Sequence, residues 1–441
     1  MLCVLGASIA LSSREGLRLS VAGFLVHPYL VPLGILLLMN GMSGWSRIPR
    51  VVLVAMTAFT LAFVLLSVPT GLGTNDIVKL ITFVLTVCGI AAAGRTRADV
   101  RLGIIGFASA ITIVSMISLA TQRGSILGVE PFGEVGNKNS YSLYALPALL
   151  LAGNLLFDRE SSRRLRVAMV ASAVIITITI FSTGNRSGWI GVTLIFVMLL
   201  SRGRRLRDVA IIVVLGISAF VLLTTFGSTE AFLFRLNRPS TTVASDETRT
   251  DLIGAAISLG RANPIFGVGP PAVDVRLGQE LGLSTRIASH NLFAFIWAGG
   301  GLVLSIAFIG LMASFWSKPV PWRTKAPMRR RARAPGSAKH DLGFLRMMVA
   351  LFLVRGVFAA DILTIPGFMY GFGFALAFVV LDLERSTPLE GADGDHATEP
   401  TDQWSRSRTK ASTPEARFRH RDLFAEERAR RHGSSNQPEH A

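Results

Sequence analysis

The chain reads as an all-α protein: a polytopic transmembrane bundle of about 12 helices, interrupted by one large extracytoplasmic loop. Three observations predict this. Apolar runs close to the ~20 residues that cross a bilayer recur throughout in a chain of 441 residues that is 50% hydrophobic and 17% charged. The Lys and Arg behind its net charge of +17 gather in short connections and in the tail, which is the positive-inside pattern. That placement argues against nucleic acid as a partner. Finally, one connection, roughly 227–289, is much longer than the others. Loops above about 15 residues without regular structure are uncommon and usually functional or disordered. A β-barrel would need alternating segments of about ten residues, and none is visible.

Spans are expected at roughly 1–12, 19–41, 50–68, 77–94, 103–120, 141–157, 167–183, 187–201, 209–226, 290–316, 343–361 and 366–382. The first is short, but without a small-residue cleavage site it is expected as a retained helix. Arg47 and Arg50, Arg95 to Arg101, Arg159 to Arg166, Arg202 to Arg207 and the run Lys318 to Lys339 fall on alternate connections. These should be cytoplasmic, with both termini on the same side. The opposite connections, 69–76, 121–140, 184–186 and 227–289, should face outward; Arg14 and Arg18 are exceptions to the pattern. The chain thus divides into helices with short loops over 1–226, the outer insert 227–289, and C-terminal helices over 290–384 with a basic loop 317–342. The polar segment 385–441 lacks an apolar face and is expected to be a disordered cytoplasmic tail. Cys3 and Cys88 both lie in apolar runs, so no disulfide framework or thiolate metal site is indicated. No two-halves repeat of the kind common in transporters is present.

Candidate chemistry lies at the outer junctions. In Thr183-Gly184-Asn185-Arg186-Ser187-Gly188-Trp189 two apolar runs meet with almost no linker. A guanidinium there must find an anion or a wet cavity, and it is well shaped for phosphate. Alternatively Arg186 snorkels to lipid headgroups with Trp189 as its belt partner; both readings stand on these residues alone. In the insert, Ser245 or Asp246 can cap a helix carrying Leu252, Ile253, Ala256 and Ile257 at 3.6-residue spacing. That helix should stop at Gly260, ahead of Asn263-Pro264. Arg249 would then occupy its first turn, where the helix dipole does not favour a cation. It is either an anion ligand or a solvated surface arginine.

Phe266-Gly267-Val268-Gly269-Pro270-Pro271 is expected to be a structural turn. It lacks the preceding strand and the following Lys-Ser/Thr of a nucleotide loop. Ser289-His290-Asn291 opens the next apolar run. His290, with an imidazole pKa of about 6.5 when unperturbed, could take a proton from a hydroxyl nucleophile or merely cap the helix. No His spacing suits a metal. Lys79, after Asp76, enters the fourth span from outside, and Arg355 is expected mid-span in the eleventh with Asp361 beyond it. Charges at such depth usually face the bundle interior, as ligand contacts or as structural pairs.

Taken in order, the Asn-Arg-Ser-Gly junction at 185–188, Arg249, the run Pro264 to Pro270, His290-Asn291 and Gly299-Gly300-Gly301 resemble the bacterial O-antigen ligase/polymerase family. Gly136-Asn137-Lys138-Asn139 fits that pattern too, and the similarity covers roughly 70–380. Two departures are Pro271, where the family often has Gly, and Asn185, where Ser is common. The resemblance implies a polytopic, metal-independent glycosyltransferase of the C-type architecture in the bacterial plasma (inner) membrane, needing no cofactor. Its expected partners are a polyprenyl-diphosphate-linked glycan donor, a glycan or glycolipid acceptor, and membrane lipid. By motif position the resemblance implies diphosphate binding for Arg186 and Arg249 and a place near the acceptor for His290. Lys79, Arg355 and Asn291 complete the candidate substrate-binding set. The competing reading is a transporter or flippase of a lipid-linked glycan or small anion, which would also carry intramembrane charge.

Overall fold

In the computed structural model the described residues are 1–12, 19–21, 24–26, 29–40, 42–70, 74–121, 138–158, 161–183, 185–202, 239–282, 286–317, 337–359 and 366–386. The expected span 209–226, most of the basic loop 317–342, Asp361 and the tail from 387 lie outside them. Helices form nearly all of the rest: α1 (Leu2–Ser12), α2 (Leu30–Asn40), α3 (Arg50–Ser67), α4 (Thr74–Ala93), α5 (Arg97–Thr121), α6 (Lys138–Phe157), α7 (Arg163–Ser182), α8 (Arg186–Arg202), α9 (Pro239–Ala262), α10 (Val273–Glu280), α11 (Leu292–Trp316), α12 (Ser337–Gly356) and α13 (Pro366–Ser386). Six of them are long and apolar enough to cross a membrane, among them α5, α7 and α11, and three shorter helices are also apolar. The protein is therefore a multi-pass helical membrane protein.

One expected span is corrected. Residues 19–41 do not form a single helix: Leu19–Val21 pairs antiparallel with Phe24–Val26, and α2 starts only at Leu30. Pro28 disfavours helical backbone in the residue before it, so an apolar run of spanning length is divided.

The central helix is α13, whose apolar stretch is 89% buried. It packs against α4, α5, α6 and α12. Its glycines allow this approach: a Cβ on Gly367 would lie 2.4 Å from the Leu143 carbonyl oxygen, and one on Gly373 would meet Ile90 at 2.8 Å. Small residues at such contacts let helix backbones come close where lipid supplies no hydrophobic drive. Aromatic rings fill the space between, with Phe315 stacked on Phe372 at 5.0 Å.

Ion pairs gather at one end of this bundle. Arg47 reaches Glu384 at 2.5 and 2.7 Å and also donates to the Ala92 and Gly94 carbonyls. Arg101 meets Asp158 at 2.7 Å, and Arg97 pairs with Asp341. Arg346 donates to the Trp316 carbonyl. These contacts join the starts of α3, α5 and α12 to the ends of α4, α6, α11 and α13. Of the basic connections, those described around Arg47, Arg97–Arg101 and Asp158–Arg166 fall at one end of the bundle; 203–207 and 318–336 lie outside the described residues.

At the opposite end, the described part of the insert is helical and built onto a broken helix. α11 contains non-helical backbone at Gly301 (φ 53, ψ −143). The groups released there are taken up by the segment after α9. Val268 and Gly269 donate to the Ala298 and Gly299 carbonyls at 2.9 Å, while Leu302 and Val303 donate to the Pro264 and Ile265 carbonyls at 2.8 and 3.2 Å. A backbone break is tolerated near a membrane only when its polar groups are satisfied in this way. The Phe266–Pro271 motif is therefore a structural turn, seated in the break. Above it α9, α10 and the first turns of α11 share a small core of Ala256, Leu259, Val273, Leu277, Ala294 and Ala298, separate from the main one.

Gly267 makes the docking possible. Its φ is +63°, and a Cβ there would sit 2.4 Å from backbone atoms of Gly299 and Gly300. Gly267→Ala combines left-handed strain with a backbone clash. It is expected to cost on the order of 2 kcal/mol or more, read as a lower unfolding temperature and faster proteolysis within 239–282.

Candidate functional site

The end of the bundle that carries the insert holds a line of polar side chains linked by hydrogen bonds. Asn185 sits in the short link between α7 and α8 and is buried. Its Oδ1 caps α8, accepting from the Ser187 amide and hydroxyl at 3.1 and 2.7 Å. Its Nδ2 donates to Ser142 Oγ at 3.0 Å. Ser142, on the second turn of α6, also accepts from Arg355 Nη2 at 3.1 Å. One hydroxyl therefore ties α6, the α7–α8 link and α12 together. Gly188 permits the approach, since a Cβ there would press on Ile180 and Ser142 at 2.9 and 3.3 Å.

Arg355 is fully buried but not mid-span as expected. α12 begins earlier than its apolar run and ends at Gly356, which puts Arg355 in the last turn, at the insert end. The chain then turns, with Phe358 donating to the Arg355 carbonyl at 3.0 Å. The Val357 carbonyl accepts from Asn291 Nδ2 at 3.1 Å, and Leu292 packs on Gly356. Asn291 also caps α11 through Oδ1 to the Ala294 amide at 2.9 Å. Both polar ends of Asn291 are thus engaged in holding the α11 start against α12.

His290 precedes that cap. It is exposed, while Ser289 beside it is buried. Its φ of +51° makes it the one left-handed non-glycine residue among the described residues. Such backbone costs on the order of 1–3 kcal/mol in a non-glycine residue and clusters at functional sites. The docked neighbours on both sides hold it there, presenting the imidazole outward.

Arg186 opens α8 directly after Asn185 and is exposed. Trp189, one turn on and half-buried, packs its indole on Phe181 at 5.7 Å between ring centroids and borders the core. Arg249 is exposed on α9. That helix starts at Pro239, earlier than the Ser245–Asp246 cap expected, so Arg249 is well inside it and not in its first turn. α9 and α11 run side by side in the same direction, since Gly260 faces Trp297 and the Pro264 carbonyl meets Leu302. Counting back at 1.5 Å per residue, Arg249 and His290 lie at heights within about one helical turn, roughly 6 Å.

Hydrogen bonds connect Arg355 to Asn185 through Ser142 and Asn291 to the Val357 carbonyl, two residues past Arg355; Arg186 and His290 are the chain neighbours of Asn185 and Asn291, and Arg249 lies on the helix alongside. Lys79 is not brought into this line by any contact among the described residues; it is exposed and pairs with Asp76 at 3.2 Å, one turn away on α4. Ser142 was missed in the sequence, where one Ser among apolar neighbours carries no spacing signal. Among the described residues no three His, Cys, Asp or Glu side chains are grouped to hold a metal.

A multi-pass helical bundle with an insert seated on a broken helix, and polar side chains gathered at that same end, defines the class: a polytopic helical membrane protein. Residues 171–309 match the model of a family described as O-antigen ligase. The match runs from within α7 through α8, α9, α10 and most of α11 and so contains Arg186, Arg249 and His290. No curated protein matches the chain.

Proposed function

We propose that the protein transfers a glycan from a polyprenyl-diphosphate donor to an acceptor hydroxyl, at the outer face of a bacterial plasma membrane and without a metal. The observation that carries this reading is the hydrogen-bonded line at the insert end, opposite the basic connections. Next to it in the chain stand an exposed arginine, Arg186 after Asn185, and a strained, exposed histidine, His290 before Asn291.

In this reading the acceptor oxygen attacks the anomeric carbon of the donor sugar as the bond from that carbon to the diphosphate oxygen breaks. The hydroxyl proton passes to the imidazole of His290, and polyprenyl diphosphate departs with the bonding pair. Arg186 and Arg249 hold the diphosphate, whose growing charge needs fixed donors in a water-poor setting. Arg355 lies beneath, and its buried positive charge adds to the field at that face. Asn185, Ser142 and Asn291 position these groups.

The test is transfer by purified protein in proteoliposomes carrying lipid-linked oligosaccharide and glycan acceptors, with chelator present. Product formation undiminished by chelator is expected. Movement of the donor across the bilayer with no new glycosidic bond would replace this reading with the flippase one.

A further inference from the structure

The turn Pro264–Phe266 carries two large, mostly exposed apolar side chains: Ile265 is 55% exposed and Phe266 62%. Both belong to an insert that sequence alone places in water. Their height says otherwise. Leu302 and Val303, bonded to the turn, stand above Trp316 at the basic end of α11 by about 21 Å at helical rise. A second ruler agrees. Gly269 abuts Leu66 on the facing α3 and Thr70 in the 3-10 turn just after it, and Leu66 stands about 24 Å above Arg50. The hydrocarbon core is about 30 Å thick. Both measures place the turn inside its upper boundary.

The surroundings fit that depth. The exposed side chains of Leu65 on α3, Val68 just after it, and Leu302 and Ile306 on α11 are apolar, forming a surface that reaches up to the turn. The backbone pairing with the α11 break removes the usual objection to a loop at membrane depth, that its polar groups go unmet. Arg261, exposed in the last turn of α9, stands a few residues before the turn, where a basic side chain can snorkel to lipid phosphate.

We infer that Pro264–Phe266 is a membrane wedge: Ile265 and Phe266 insert among the acyl chains of the leaflet remote from the basic end, with Arg261 at headgroup level. The occupant of this surface is bilayer lipid, argued from its continuity with the lipid-facing sides of α3 and α11. The wedge would set the height of the insert, and of His290 and Arg249 with it, relative to the bilayer. It rests on the bilayer crossing and not on the transfer chemistry, so either can fail alone.

Spin labels report the difference. Cys3 is exposed and Cys88 buried, so Cys3→Ser removes the background label. In lipid nanodiscs, Phe266→Cys carrying a nitroxide is expected to behave like Ile306→Cys, relaxed strongly by oxygen and weakly by a water-soluble nickel chelate. Glu280→Cys on α10 should show the reverse. Nickel access at 266 equal to that at 280 would overturn the wedge, as would shielding from both reagents, which would mean that protein covers the turn. Quenching of the 266 label only when lipid-linked donor is added would assign the surface to the donor's chain and overturn it as well.

Discussion

Arg186→Ala and Arg249→Ala are each expected to lower glycan transfer by about 10²–10³-fold, the usual effect of deleting one donor to a developing negative charge. Protein abundance in the membrane should not change, because both side chains are exposed and α8 keeps its Asn185 cap. Lys at either position should restore only part of the rate. It supplies charge but not the planar fork that grips two phosphate oxygens. Steady-state transfer at varied donor concentration checks the assignment. Unchanged turnover in both Ala variants would make these arginines surface anchors and remove the diphosphate from this face of the protein.

The second large effect is expected at His290. His290→Gln keeps a hydrogen-bonding side chain but cannot accept a proton, so a fall of about 10²–10⁴-fold is expected from loss of a general base. The backbone complicates this residue, since a left-handed φ of +51° resists any side chain. His290→Gly separates the two roles. Glycine adopts that backbone freely, so the fold of the turn survives while the base is lost. Added imidazole should then recover part of the rate in the Gly variant and none in Gln, where the site is filled. The wild-type rate should fall on acidification as the imidazole becomes protonated, and both variants should lose that limb. Near-normal turnover in His290→Gln would show a residue that only shapes the α11 start.

Hydropathy and charge carried much of this architecture. Three of the Arg-rich connections predicted to share a side, at Arg47, Arg97–Arg101 and Asp158–Arg166, do meet at one end among the described residues, through Arg47–Glu384, Arg101–Asp158 and Arg97–Asp341. The turn at Gly267 and Gly269 was legible because glycines flanked by prolines leave few backbone choices. Helix ends were less so. A hydropathy run does not show that α12 stops at Gly356, and so Arg355 was placed at mid-depth when it closes the helix at the site. The run over 19–41 likewise conceals a hairpin. Ser142 was illegible for another reason. Its role exists only through Asn185 and Arg355, which are 43 and 213 positions away, and no local pattern encodes such a meeting.

That separation has a consequence for biogenesis. Chains emerge from the ribosome and fold from the N-terminus onward, so α6 and the α7–α8 link are in the membrane long before α12 is made. Ser142 and Asn185 can bond to each other early, and Arg186 and His290 are already present. The guanidinium that shares the Ser142 hydroxyl arrives only with the penultimate described helix. Long-range contacts of this kind form last and slowly. Until then the enzyme is a complete set of exposed residues on an unfinished frame. A nascent or truncated protein that ends before α12 would display the ligand-facing side chains and yet lack the strut that aligns α6, α8 and α11. On the proposed function, glycan transfer would then wait until nearly the whole bundle has been inserted.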